Sequence, residues 1–225
     1  MSSNAEAQSV NETSSATEAG RGILVVVSSP SGGGKGTLIR RVLKAVPHLG
    51  YSVSFTTRGV REGEVNGREY FFVSEDEFRR KIEAGDFLEW AVVHGKHYGT
   101  SHLQVQRELN AGSDIVMEVD VQGATSVRRL IDDAVTVFIL PPAFEILRSR
   151  LEARGSEDKA ELALRLKNAR TEVEHYREFK YIIINDDADR AAAQLASIIH
   201  AERATRDRQE AVAQGVLKSF KGATD

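Results

Sequence analysis

The sequence predicts an α/β fold: a mainly parallel sheet flanked by helices, interrupted by a small antiparallel insertion and a charged helical pair. Three observations carry the prediction. Apolar runs at Ile23–Val27, Ile115–Val119, Ala134–Leu140 and Tyr181–Ile184 alternate with helix-spaced segments, the pattern of parallel strands joined by crossover helices. The first of these runs is continuous, as in a strand buried on both faces. A Ser/Gly-rich turn and a single lysine, Lys35, follow it directly.

That first stretch, Ile23 to Leu38, organises the rest. Strand, glycine turn, lysine and helix in that order describe a phosphate cradle. Glycines let backbone N–H groups converge on an anion without a Cβ in the way, and the helix N-terminus adds partial positive charge. Ser31, Gly32, Gly33, Gly34, Lys35, Gly36 and Thr37 are the expected phosphate-binding residues. The match to G-x-x-x-x-G-K-[ST] is imperfect: Ser29 holds the first glycine position, and Gly36 follows the lysine where a hydroxyl is usual. The hydroxyl arrives one residue later, at Thr37. Direct side-chain ligation of Mg²⁺ after the lysine is therefore absent, and the ion is expected to be held through water and substrate phosphates.

Leu38, Val42, Leu43 and Val46 form the apolar face of the first helix. Pro47 and Gly50 break it. Tyr51–Phe55 alternates and reads as a strand; Thr56–Glu69, with three glycines and dense charge, reads as a loop. On this stretch alone Arg58 and Arg61 read as solvated loop charges, although two arginines three apart can converge on one anion, since a planar guanidinium takes two phosphate oxygens at once. Tyr70–Val73 is a further short strand. Ser74 with Glu77 forms a capping box for the next helix, which buries Phe78 and Ile82 and stops at Gly85. Phe87–Val93 is a strand with one carboxylate, Glu89, inside an apolar run. Such an acid needs a partner or a solvated edge. Phe71, Phe72 and Trp90 are expected in the core, and His94 and His97 on the surface of a hairpin.

Thr100 or Ser101 caps a helix running to about Asn110. Ile115–Asp120 is an apolar strand ending in acid, at the sheet edge where a carboxylate can organise a metal beside a phosphate loop. Phe144, Leu147 and Leu151 define another helix, and a charged one follows from about Asp158 to Tyr176. On composition alone its arginines read as surface pairs such as Glu161–Arg165. The last strand ends at Asn185–Asp186. The final core helix places Ala188, Ala191, Ala192, Leu195, Ile198 and Ile199 on one face. Beyond Thr205 the chain turns polar, keeping a weak Val212/Val216/Phe220 stripe.

Composition narrows the function. A net charge of −3 over 225 residues gives no bulk attraction to nucleic acid or to an anionic membrane. There is no cysteine, hence no disulfide framework or thiolate chemistry. No apolar run nears the ~18 residues of a membrane span, and residues 1–20 lack the charged start and apolar core of a signal peptide. They read as a disordered leader. The expected setting is cytoplasmic.

With these residues in view, the chain resembles the bacterial guanylate kinases, P-loop enzymes that transfer the ATP γ-phosphoryl group to GMP. The resemblance rests on Ser29–Thr37, on Ser52–Arg58 with Arg61, Gly63–Glu64 and Gly67–Tyr70, on Tyr98–Gly99, and on Arg150–Glu157 with Asn185–Asp187. It covers about Gly22 to Arg208. It implies a core of residues 21–50, 101–143 and 177–208, a GMP-binding insertion of residues 51–100, a lid of residues 144–176 and a tail of residues 209–225. It implies that Arg58, Arg61, Tyr70 and Tyr98 grip the GMP phosphate, with Glu64 in the same site. Glu89, Ser54, Thr100 and Asp120 would read guanine. Lys35 and the loop amides would hold ATP, with Asn185 and Arg154 near adenine, and Arg150, Arg154 and Arg165 would close over the transferring group. Mg²⁺ would accompany ATP, with Thr37 and Glu118 as candidates to reach it through water. Many relatives carry serine at Thr100 and aspartate at Glu118. An adenylate kinase would share the loop but not the carboxylate facing the base. A catalytically silent binding module would have lost Lys35 and the arginines. Acceptance of dGMP and the choice between monomer and homo-oligomer stay open.

Overall fold

The computed structural model describes residues 20–93, 95–153 and 159–222, the side chain of Lys159 excepted. Five parallel strands form the core sheet: β1 (Leu24–Ser28), β2 (Leu49–Tyr51), β7 (Asp114–Glu118), β8 (Val135–Leu140) and β9 (Tyr181–Ile184), in the order β2-β7-β1-β8-β9. β1 is central, paired with β7 and β8. Its alternate residues serve opposite faces, as the two-residue period of a strand demands. Ile23, Val25 and Val27 pack with Leu38, Ile39 and Val42 of α1 (Lys35–Ala45) and with Leu195 and Ile199 of α7 (Ala188–Arg203). Leu24 and Val26 pack with Val105 and Leu109 of α3 (His102–Asn110) and with Ala124 and Val127 of α4 (Val121–Leu130). The apolar run is continuous because both faces are covered.

A second, four-stranded sheet has the order β4-β3-β6-β5, built from β3 (Phe55–Thr56), β4 (Phe71–Phe72), β5 (Phe87–Val93) and β6 (Lys96–Ser101). Its longer pairings, β5 with β6 and β3 with β6, are antiparallel, whereas β3 and β4 run parallel. The latter is possible because the Arg58–Glu69 loop carries the chain back to its starting level. Between β4 and β5, α2 (Glu75–Glu83) starts at Ser74, whose hydroxyl accepts the Glu77 amide. α5 (Phe144–Glu152) and α6 (Lys159–Glu172) make the helical pair, closed by a short 3₁₀ turn at Val173–Glu178 and sharing a small core of Leu147, Leu151 and Ala169. The tail from Arg206 to Gly222 is helix α8.

Four expectations need correcting. Tyr51–Phe55 is not one strand: Leu49–Tyr51 extends the core sheet along β7, the Ser52 amide still donates to Val116, and Phe55 opens the other sheet. The two apolar segments look continuous in sequence because the sheet change occupies only Val53 and Ser54. Asp120 does not end a strand; it caps α4, accepting the Gly123 amide at 2.7 Å. Trp90 is 45% exposed, because β5 turns Glu89 inward and so turns its neighbour outward. Phe71 and Phe72 are half-buried rather than core. His97 is half-buried with Nδ1 2.9 Å from Glu75; His94 lies outside the described residues, as do the leader and Arg154.

Candidate functional site

The site lies where β1 and β7 end and the second sheet folds over them. The glycine turn is shaped by two residues in the left-handed region, Gly32 at φ 84° and Gly34 at φ 94°. Gly34 is the N-cap of α1, and no side chain caps that terminus. The Lys35 and Gly36 amides are therefore left to an outside acceptor, with the helix dipole behind them, while the Thr37 amide donates to the Gly34 carbonyl at 3.2 Å. The Lys35 ammonium folds back to the Ser29 carbonyl at 3.3 Å. Thr37 is exposed on the first turn.

The loop is held from below by Asn185, which is 4% exposed. Its side-chain amide donates to the Gly33 carbonyl at 2.9 Å, and its backbone carbonyl accepts from Arg150 at 2.9 Å. A Cβ on Gly34 would stand 2.4 Å from the Asn185 Nδ2. Asn185 thus faces the loop rather than the open surface beside it, and one Arg150 nitrogen, Nη1, is buried without a hydrogen-bond partner among the described residues. From the end of α6, the Glu172 carboxylate accepts the Ser31 amide at 2.9 Å. Arg165 pairs with Glu161 one turn away on α6.

Facing the loop is a cavity of about 240 Å³. Its polar lining comes from Glu89, Ser54, Asp120, Tyr51, Tyr70, Tyr98, Glu118 and Lys35. Glu89 is buried and its Oε1 accepts the Thr100 hydroxyl at 2.7 Å, while Thr100 and Ser54 share a hydroxyl contact at 3.2 Å. Burial pushes the Glu89 carboxyl up to about 7, the Thr100 hydrogen bond opposing this and the nearby Asp120 reinforcing it. Tyr70 is raised to about 12, chiefly by burial and then by the charge of Glu118; Tyr51 is raised for the same two reasons.

Arg58 stands behind the cavity wall. Its guanidinium lies 5.3 Å from the Tyr70 ring centre and makes a two-pronged pair with Glu64, at 2.7 and 3.0 Å. That pair raises Arg58 and holds Glu64 below the usual carboxylate range. Glu64 also accepts the Arg61 amide at 2.8 Å, while the Arg61 side chain is exposed. The two arginines share one loop, ordered by one carboxylate.

A second cavity, of about 370 Å³, lies between the glycine loop and α6, bordered by Ser31, Lys35, Asp120, Arg165, Asn168 and Glu172. Lys35 and Asp120 border both cavities. Sequence reasoning missed Tyr51, hidden by the strand error, and Glu172. Glu172 lies 141 residues from Ser31 in a helix rich in acids, and no local signal marks it. The described residues contain no cluster of three metal-ligating side chains.

Comparison with known proteins follows the geometry. The family model described as Guanylate kinase matches residues 21–202. The guanylate kinase of Chromohalobacter salexigens is 47% identical over 191 residues, covering 85% of this chain and 89% of the relative. That of Caldanaerobacter subterraneus is 44% identical over 190 residues, covering 84% and 92%. The crystal structure of guanylate kinase from Anaplasma phagocytophilum superposes with a TM-score of 0.70 at 32% identity, covering 84% of this chain and 89% of that one. No relative among these points to a catalytically silent module.

Proposed function

Since the chain belongs to the guanylate kinase family and is a guanylate kinase, transferring phosphate from ATP to GMP, we propose how its residues divide that work. The observation that carries the reading is the pair of cavities meeting at Lys35, one ending in a buried carboxylate and the other formed on the phosphate loop.

In this reading the first cavity takes GMP. Guanine offers N1–H and N2–H₂ on one edge, and Glu89 accepts both when ionised; Ser54, Thr100 and Asp120 complete the contact. Adenine presents an acceptor at N1 and leaves the carboxylate unpaired, a discrimination that reaches ~10⁴-fold where polar groups are stranded. Arg58, Arg61, Tyr70 and Tyr98 hold the GMP phosphate, with Glu64 keeping the arginines in place. The second cavity takes the ATP phosphates on the glycine loop, whose Gly32, Gly34, Lys35 and Gly36 amides face no protein acceptor among the described residues, steadied by Asn185. A GMP phosphate oxygen attacks the γ-phosphorus in line as the bond to ADP breaks. Lys35, Arg150, Arg154 and Arg165 neutralise the charge on the equatorial oxygens. Closing the lid of residues 144–176 and the insertion of residues 51–100 over the core excludes water.

Mg²⁺ fits the donor set. The Glu118 carboxylate would lie 3.5 Å from a Cβ on Gly36, and Thr37 offers a hydroxyl on the same turn. Both are hard oxygen donors suited to an ion that keeps much of its water. With ATP bound, the ion would offset phosphate charge there. We place the enzyme in the cytoplasm. No described helix is long and apolar enough to cross a membrane.

A coupled assay for ADP with ATP and each of GMP, AMP, CMP and UMP tests the reading. GMP should be preferred by at least about 10³-fold. Comparable rates with AMP would overturn the role given to Glu89.

A further inference from the structure

We propose that Glu118 has taken over the work of the hydroxyl missing after Lys35, ligating the Mg²⁺ that accompanies ATP directly, across the gap that Gly36 leaves. The inference rests on the reading that the second cavity takes ATP with its ion. A phosphate loop usually carries serine or threonine after its lysine, and that hydroxyl holds the ion. Here the position is Gly36. A Cβ built on Gly36 would stand 3.5 Å from the Glu118 Oε2 and 3.5 Å from the Arg40 Nη1. A serine would extend one atom further into that space. The carboxylate oxygen therefore borders the place the hydroxyl would fill.

The fold aims Glu118 there. It closes β7, in register with Val27 of β1, level with the entry to the glycine turn. Successive strand residues face opposite sides of a sheet. Val116 packs on the α1 side, whereas Ile115, Met117 and Val119 pack on the other, so Glu118 shares the α1 side. Its carboxylate is half-buried and lines the first cavity beside Lys35. Among the described residues it accepts no hydrogen bond and joins no ion pair. A carboxylate drawn partly out of water calls for a cation.

Thr37 does not fill the same role. One step further along α1 is a rotation of about 100°. Thr37 is exposed, and its hydroxyl accepts from the Arg40 guanidinium at 3.4 Å. No cluster of three ligating side chains stands nearby among the described residues. That suits Mg²⁺, which takes one or two carboxylates and leaves its other positions to phosphate oxygens and water. Gly36 and Glu118 are thus a matched pair, a bare position on the loop and a long acid on the strand. Aspartate at 118 would end one methylene short, and a hydroxyl at 36 would make up the difference. The two positions should therefore compensate each other.

Mn²⁺ with the ATP analogue AMP-PNP tests this on the full chain. Electron paramagnetic resonance counts the bound ion, and spin-echo modulation in D₂O counts its water ligands. Glu118→Asp keeps the charge; it should weaken Mn²⁺ about tenfold and add one water to the ion. Combining it with Gly36→Ser should regain that affinity and lose the water again. Gly36→Ser alone should bind the ion no tighter than the wild type does. Unchanged affinity and water count in Glu118→Asp overturn the proposal, since a carboxylate acting through water tolerates a shorter arm. So does a double variant no better than Glu118→Asp, or a tighter ion in Gly36→Ser alone. Calorimetry with AMP-PNP and no metal separates the two readings. Nucleotide binding alongside any of those results fails this inference alone, and no nucleotide binding fails the reading of the cavity with it.

Discussion

Replacing Glu89 by glutamine separates what this residue does for binding from what it costs the fold. The carboxyl is raised from an ordinary 4.5 to about 7, which corresponds to about 3 kcal/mol of preference for the neutral form. Because the folded value lies above the unfolded one, the folded state keeps a proton that the unfolded state has lost. Stability is therefore greatest below 4.5 and declines as pH rises through 7. Glutamine has nearly the same shape, can still accept from Thr100, and does not titrate. The variant should gain little at pH 5, under about 1 kcal/mol, and about 3 kcal/mol at pH 8. At about 2–4 °C per kcal/mol for a chain of this size, the melting-temperature gap should widen by roughly 5–10 °C between those pH values. Catalysis should move the other way. Two charge-assisted hydrogen bonds to guanine, about 1.5–3 kcal/mol each, are weakened, so KM for GMP should rise by about 10²-fold while KM for ATP holds. In the wild type, kcat/KM for GMP should fall tenfold per pH unit below 7 as Glu89 takes up its proton. Calorimetric melts at two pH values and a coupled assay read all three. A stability gap independent of pH, or unchanged GMP kinetics, would refute the reasoning.

Three other substitutions probe the remaining parts. Arg58→Ala should raise KM for GMP by about 10²-fold, one charged bidentate contact being worth about 3 kcal/mol. ATP kinetics should stay within about twofold, and equal weakening of both substrates would remove Arg58 from the acceptor side. Gly34→Ala forces a non-glycine residue to φ 94° and sets its Cβ 2.4 Å from Asn185. Nucleotide binding should be lost on titration calorimetry, and adding Asn185→Gly should recover only part of it, since the backbone strain persists. Glu172→Gln keeps an acceptor for the Ser31 amide but removes a negative charge from the cavity bordered by Lys35 and Arg165. KM for ATP should fall several-fold, and a rise would make the charge itself necessary for holding the loop.

How much of this could be read from the sequence follows a physical line. The core strands and their flanking helices were legible because burial on both faces writes a continuous apolar run, and because α1 and α7 repeat their buried residues at helical spacing. The capping of α2 by Ser74 was legible because both partners lie within one turn. The phosphate loop was legible for a similar reason: strand, glycines and lysine are contiguous, and their geometry is local. What failed were facts about the boundary between elements. The Leu49–Tyr51 and Phe55–Thr56 strands belong to different sheets, yet two residues separate their sheets and hydrophobicity is blind to that change of partner. Trp90 was misplaced because an aromatic residue in a strand says nothing about which face is covered.

The site was harder still, since its pieces carry meaning only through residues far away. Glu89 in isolation is an acid in an apolar run; what makes it informative is Thr100 at 2.7 Å and Asp120 across the cavity. Arg58 and Glu64 read as loop charges until the 2.7 Å pair between them orders that loop. Asn185 reads as a polar residue after a strand, and only the fold turns it into the strut beneath Gly33, 152 residues away. In each case the sequence held the chemistry and the topology supplied the partner.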